Sequence, residues 1–264
     1  MKIGIFDSGL GGLLIAHALT TKLSSYDYLY LGDSANLPYG QKTKEQIYEL
    51  SQKAINRLFE DGCKLVVVAC NSASSDALRR IQQEFIPAYW PGRNALGVLI
   101  PSAEEAIRYG KNIGIISTNA TASSGAFERE IIKLRGDANV YSCPTPELVE
   151  CIEKGQLASA RRHLERHLDG LMRRPLDSLV LGCTHYPVLK KHARQIVGTA
   201  VPVISQDEII PDKLRDYLRR HPEIDAELGK NGSIEFLLTK KSAQSGKFAE
   251  RLFGQTIKLK LVGL

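Results

Sequence analysis

The chain repeats itself, and that repetition limits what it can fold into. The stretch "IGIFDSGLGG" at Ile3 has a counterpart in "IGIISTNATASSG" at Ile113. Likewise "KLVVVACNSASSDALRR", from Lys64, has one in "DSLVLGCTHYPVLKKHAR", from Asp177. Gly4 and Gly114 stand 110 residues apart, and Cys70 and Cys183 stand 113 apart. Two motifs at one nearly constant offset point to two units of related build. Around them, short apolar runs alternate with longer amphipathic stretches. "KIGIF", "YLYLGD", "LVVVA", "ALGVLI", "NIGIIS", "NVYSC", "SLVLG" and "VPVIS" read as strands, and helical patterns lie between most of them. The clearest helix is "TKEQIYELSQKAINRLFEDG", with Thr43 and Gln46 as a capping box and Gly62 beyond the end. The expected fold class is α/β, with two pseudo-symmetric αβ domains built on mainly parallel sheets. Ligands of such sheets sit outside the carboxyl ends of the strands, which places the expected site in the interdomain cleft.

The segment "IPAYWPGRNALG", with Pro87, Pro91 and Gly92, marks the expected first crossing between domains, and Ser205 to Pro211 the second. The tail from Gly232 reads as a strand "SIEFLLT", a helix from near Ser242 to Phe253, and a strand "TIKLKLV". The expected division is residues 1–92 plus 209–264 for the first domain and 93–208 for the second.

At 264 residues and 43% hydrophobic, the chain can bury a sizeable core. Its formal charge of +6 is dispersed. Arg161, Arg162, Arg166, Arg173 and Arg174 fall on a polar helical stretch and read as a solvated face. No aromatic residues interleave with them, so no nucleic-acid partner is expected. The mild positive charge still suits an anionic small substrate. The apolar runs are too short to cross a bilayer, and no secretory pattern opens the sequence, so no membrane partner is expected. The expected compartment is the cytoplasm, where Cys63, Cys70, Cys143, Cys151 and Cys183 stay reduced. They contain no C-x-x-C pair, the usual zinc or thioredoxin signature.

Cys70 and Cys183 each follow a buried-type strand and precede small polar residues. One such cysteine is usually a packing residue. A matched pair points instead to reactive thiols. Backbone N–H groups at a helix start favour a thiolate, so the thiol pKa is expected to fall from ~8.5 towards ~7. That fall needs about 2 kcal/mol of preferential stabilisation. Cys63, Cys143 and Cys151 lack such company and read as packing residues. His185, two residues after Cys183, can tune that thiol or donate a proton. A zinc site from Cys70, Cys183 and His185 lacks a further firm ligand, and no metal is expected.

Asp7 and Ser8 end the first strand. The glycines after them permit close approach of backbone to a ligand, though the pattern is not G-x-G-x-x-G. Asp7 also suits a helix N-cap. "DSANLPYG" brings Pro38, Tyr39 and Gly40, which either present backbone groups and a phenol to a ligand or form a plain turn. "STNAT" offers Thr118 and Thr121 at the mirrored place. Glu153, in "LVECIEKG", reads by itself as a surface carboxylate. Hydroxyls, amides and backbone donors suit carboxylates and an ammonium group. Two thiols facing one cleft suit a two-base racemase, in which one thiolate removes an α-proton and the opposite thiol returns one to the other face.

These residues resemble a known family. "GIFDSGLGG", "LPYG", "ACNSAS" and "GCTHYP" occur in the order and spacing of the glutamate racemases, within the aspartate/glutamate racemase superfamily. The tail "IEFLLT…FAERLFG…IKLKLV" is similar to that family's ending. The resemblance implies that Cys70 acts on D-glutamate and Cys183 on the L-enantiomer. It implies that Asp7 assists near the first thiol and His185 near the second, with Glu153 as a further assisting carboxylate and Glu150 its competitor. Ser8, Pro38, Tyr39, Gly40, Asn71, Ser72, Thr118, Thr121 and Thr184 match substrate-contacting positions. It further implies a homodimer that works without pyridoxal phosphate or any other cofactor and supplies D-glutamate for peptidoglycan. The chain departs from the family at Ser72, usually threonine, at Ser117, usually glycine, and in "VISQDEII", where an Asp-Ser-Ala sequence is usual.

The alternatives are a racemase for aspartate or another acidic amino acid, and a non-catalytic binding protein on the same scaffold. A decarboxylase needs only one of the thiols. A thiol protease needs a nucleophile–histidine pair and an oxyanion site.

Overall fold

A computed structural model describes residues 1–243 and 245–264. It contains two all-parallel sheets. The first is built from β1 (Lys2–Asp7), β2 (Tyr28–Gly32), β3 (Cys63–Val68), β4 (Asn94–Gly97), β9 (Ile234–Leu238) and β10 (Leu259–Leu261). Its order is β10-β9-β2-β1-β3-β4. The second holds β5 (Asn112–Ser117), β6 (Asn139–Pro144), β7 (Ser178–Gly182) and β8 (Val203–Ile204) in the order β6-β5-β7-β8. The order β2-β1-β3-β4 therefore recurs as β6-β5-β7-β8, and the repeated motifs occupy matching strands. The tail adds β9 and β10 to the outer edge of the first sheet.

Both sheets are doubly wound. Leu19, Ile15 and Leu13 of the helix Leu13–Lys22 share one buried cluster with Ile3, Ile5 and Tyr30 on one face of the first sheet. Ile47, Ala54, Ile55 and Leu58 of the helix Lys44–Glu60 cover the other face with Phe6, Val66 and Val68. The alternation along β1 and β3 sends successive side chains to opposite helical layers. The expected capping box is present: Thr43 Oγ1 accepts from Gln46 N and Gln46 Oε1 accepts from Thr43 N.

Three expectations change. "ALGVLI" is not one strand. It stops at Gly97, and the helix Leu99–Ala106 begins almost at once, burying Leu99, Ser102, Ala103 and Ala106 at helical spacing. A continuous apolar run carries no signal for where one period yields to the other. Second, β4 pairs with β3, so the chain is still in the first sheet after Gly92. Third, "VPVIS" keeps only two residues in ladder pairing, at the sheet's edge. The last helix is Ser245–Phe253; Gln244, within the helix expected from Ser242, lies outside the described residues. Among the described residues, no helix is long and apolar enough to cross a membrane. Arg161, Arg162, Arg166, Arg173 and Arg174 are exposed, as a solvated face requires.

Candidate active site

In a doubly wound sheet the crevice opens where neighbouring strands run their connections to opposite faces, at the β1/β3 boundary of this strand order. Asp7 ends β1 and Ser8 follows it, and Cys70 follows β3. In the second sheet Thr118 follows β5, and Cys183 follows β7. The two crevices meet. Ser72 Oγ lies 3.1 Å from Thr118 Oγ1 across the junction, and Thr184 Oγ1 donates to Asp7 Oδ1 at 3.1 Å. Between them lies a cavity of ≈ 20 Å³, lined on one side by Ser8, Cys70 and Asn71 and on the other by Thr118, Cys183 and His185. That is room for about one water. A chamber of ≈ 390 Å³ adjoins it and shares Leu37, Pro38, Gly40, Thr118 and Val149 with its lining.

The first half-site is acidic and hydroxylic. Cys70 is 4% exposed, caps the helix Asn71–Asp76, and donates from Sγ to Ser8 Oγ at 3.4 Å. Burial pushes its thiol up to about 12, the Asp7 carboxylate and Cys183 add to the rise, and bonds from Ser8 and the Ala73 backbone oppose it. This reverses the lowering expected from a helix start, because desolvating a thiolate outweighs the pull of one short helix. Asp7 is fully buried, and burial raises its carboxyl above the usual range against the pull of His185. Asp7 is not a helix N-cap: Gly12 precedes the helix Leu13–Lys22, and Asp7 accepts from Gly9 N at 3.0 Å instead.

The second half-site carries a relay. Cys183 Sγ lies 3.8 Å from His185 Nδ1, and His185 Nε2 lies 2.6 Å from Glu153 Oε1. Burial lowers the His185 pKa, but the hydrogen bonds to Cys183 and Glu153 outweigh it and hold the ring well above its ordinary value. An imidazolium then donates at both ends. Glu153 is thus not a plain surface carboxylate. Glu150 is; it pairs with Lys154 on the exposed side of the same helix, Pro146–Glu153.

The glycines serve the junction itself. A Cβ on Gly11 would fall 2.6 Å from His185 Nδ1 and 2.8 Å from Thr184 Oγ1. A Cβ on Gly40 would fall 2.6 Å from Thr118 Cβ. The absent side chains let one half-site close on the other rather than on a ligand alone. Thr118 caps the helix Asn119–Ser123 by accepting from Thr121 N, and its hydroxyl meets that of Thr121 at 3.1 Å. Pro38 and Gly40 line the cavity, but the Tyr39 phenol is already committed, donating to Asp33 Oδ2 at 2.7 Å.

Three buried groups escape a motif reading. Asp33 follows β2 and accepts from Tyr39, Asn36 and Thr239, anchoring the "LPYG" turn. Gln206 and Ser102 stand behind Asn71. Only the position of Asp33 at the carboxyl end of a strand, like that of Asp7, hinted at its use. Among the described residues, no group of three or more His, Cys, Asp or Glu side chains is arranged to hold a metal ion.

A cleft between two switch-point crevices, with one thiol from each, defines an α/β scaffold of two parallel sheets with its candidate site at their junction. The chain belongs to the Asp/Glu/Hydantoin racemase family, whose model matches residues 14–209. It is 40% identical to a glutamate racemase of Phenylobacterium zucineum, an alignment covering 96% of this chain and 97% of that protein. A glutamate racemase isoform from Bacillus anthracis superposes with a TM-score of 0.90 at 29% identity, covering 100% of this chain and 97% of that one. The glutamate racemase of Francisella tularensis, solved in complex with D-glutamate, gives 0.88 at 26% identity, covering 99% and 97%.

Proposed function

We propose that this chain interconverts L- and D-glutamate by a two-base mechanism that needs no cofactor. The observation that carries the reading is the pair of buried thiols at matched strand ends, lining one cavity, each with its own proton partner. Cys70 removes the α-proton of D-glutamate, and Cys183 delivers one to the opposite face; the reverse reaction exchanges the roles. A bound ammonium group brings to the Cys70 side the positive charge it lacks, which favours the thiolate there. Asp7 sits beside that thiol, and His185, backed by Glu153, supplies and accepts the proton at the other. Hydroxyls of Ser8, Ser72, Thr118, Thr121 and Thr184, the Asn71 amide and the backbone of Pro38 to Gly40 surround the substrate with fixed polar groups, and the N–H donors among them come from Asn71, Tyr39 and Gly40. Such donors stabilise developing charge without reorganising.

The cavity is far too small for an amino acid, so the halves separate to admit substrate and close to exclude water. On this reading the enzyme is a cytoplasmic homodimer that supplies D-glutamate for peptidoglycan. The kinship named above favours glutamate over aspartate. Incubating the protein with D-glutamate in D₂O, without cofactor, tests it. Loss of optical activity with exchange at Cα is expected. Neither change, with aspartate turned over in parallel, would replace glutamate by the shorter acid; inertness to both would leave a binding protein.

A further inference from the structure

Behind Asn71 lies a buried amide that no motif contains. Gln206 is 1% exposed and opens the helix Gln206–Arg220, where the chain leaves the second sheet. Its Oε1 accepts from Asn71 Nδ2 at 2.8 Å, and its Nε2 donates to Asn71 Oδ1 at 2.8 Å. Nε2 also donates to Ser102 Oγ at 3.2 Å, and Ser102 Oγ donates to the Val98 carbonyl at 2.7 Å. A head-to-head amide pair is degenerate by itself, since turning both groups over preserves both bonds. Ser102 removes the degeneracy. Its one proton is spent on Val98, so it can only accept, and only an N–H of Gln206 fits against it. The orientation of Gln206 then fixes which end of Asn71 is the NH₂. That NH₂ has two protons, and Gln206 takes one.

We propose that Gln206 is a positioning residue for the reaction: with Ser102 it sets the orientation of the Asn71 amide beside Cys70, leaving one Asn71 N–H for the substrate. The inference rests on the two-thiol reading above. It concerns the position at which the chain departs from the family's usual Asp-Ser-Ala, and it ties three segments together: the Cys70 loop, the helix Leu99–Ala106 and the return helix. Losing the amide leaves Asn71 buried with unmet polar atoms and a free choice of orientation. Because Asn71 adjoins Cys70, the loss falls on the Cys70 step rather than on both steps alike.

The test uses Gln206→Leu with Ser102→Ala as a milder second variant, each checked for melting temperature, and both enantiomers of glutamate with and without α-deuterium. The expected result is a fall in kcat on the order of tenfold for Gln206→Leu, equivalent to ~1.4 kcal/mol, and a smaller fall for Ser102→Ala. The deuterium isotope effect on kcat/KM rises with D-glutamate, whose proton Cys70 removes, and falls with L-glutamate. Here the Cys70 step has become the slower one in each direction. Equal isotope effects in both directions, or a lowered melting temperature with unchanged rates, overturn the positioning role. If Cys70→Ala itself kept the wild-type rate, the two-thiol reading would fall and take this role with it. If Cys70→Ala is dead while the Gln206→Leu isotope effects match wild type, only the role of Gln206 fails.

Discussion

The two half-sites share a strand order but not a chemistry. β3 and β7 each carry a thiol to the same point of their sheets, so duplicated topology explains where the sulfurs are. It does not explain their partners. Cys70 has a serine hydroxyl and a buried carboxylate beside it; burial and the carboxylate keep it protonated, against the pull of the serine. Cys183 has an imidazole backed by a carboxylate. The repeated sheet supplies symmetry of position; the side chains that follow each strand supply two different proton inventories. That suits a reaction whose two faces are mirror images but whose substrate's remaining groups are not.

The sharpest way to break the comparison is to remove each sulfur in turn. Cys70→Ala and Cys183→Ala are each expected to lower racemisation by at least about 10²–10⁴-fold, the range for losing a positioned acid or base. Each should still exchange, in D₂O, the α-proton of the one enantiomer whose base remains. Exchange of both enantiomers by either variant would mean that the two thiols do not serve opposite faces.

A smaller effect separates the partners. Glu153→Gln leaves the His185 imidazolium without its countercharge, and kcat should fall roughly tenfold, about 1.4 kcal/mol. Glu150→Gln, which loses only an exposed pair with Lys154, should change kcat by less than about twofold. The reverse ranking would reassign the assisting carboxylate.

A last effect touches stability and leaves activity at neutral pH alone, and it concerns a thiol outside both half-sites. Cys63 is buried at the start of β3, beside β1, and burial pushes it up to about 12 from an ordinary 9.0. A raised folded pKa means that its stabilising contribution is complete below pH 9 and is lost as pH climbs towards 12. Between those limits the folded chain binds one more proton than the unfolded one, so unfolding free energy falls by about 1.4 kcal/mol per pH unit for this group. Cys63→Ala should make the alkaline decline shallower by that slope in denaturant titrations across pH 9 to 12. An unchanged slope would show that the thiol is not held neutral by folding.

Much of this was legible in the sequence because it is local. Strand ends, the capping box of Thr43 and Gln46, and the matched cysteines are all written in runs of a few residues. The repeat then fixed their relative placement, since related sequences built related sheets. What escaped is written across distance. Asn71 and Gln206 lie 135 residues apart, and no local pattern joins them. Asp33 sits in the quoted "DSANLPYG", yet its hold on Tyr39 depends on a turn whose path the sequence does not show. That Glu153 rather than Glu150 meets His185 depends on a contact across 32 residues of sequence, which no local pattern carries. The rise at the Cys70 thiol escaped because a helix start is visible in sequence and the depth of burial is not.

The near-absence of free volume between the half-sites has a thermodynamic corollary. If the halves must separate to admit substrate, as proposed above, a populated open form comes first, and the affinity observed for any ligand is the intrinsic one multiplied by the open fraction. If one molecule in a hundred is open, apparent binding is weakened about a hundredfold with no contact changed. On that reading the bond from Thr184 to Asp7, made where Gly11 leaves room for His185, opposes substrate entry. Substrate affinity in this fold is partly a property of a junction at which no substrate need be present.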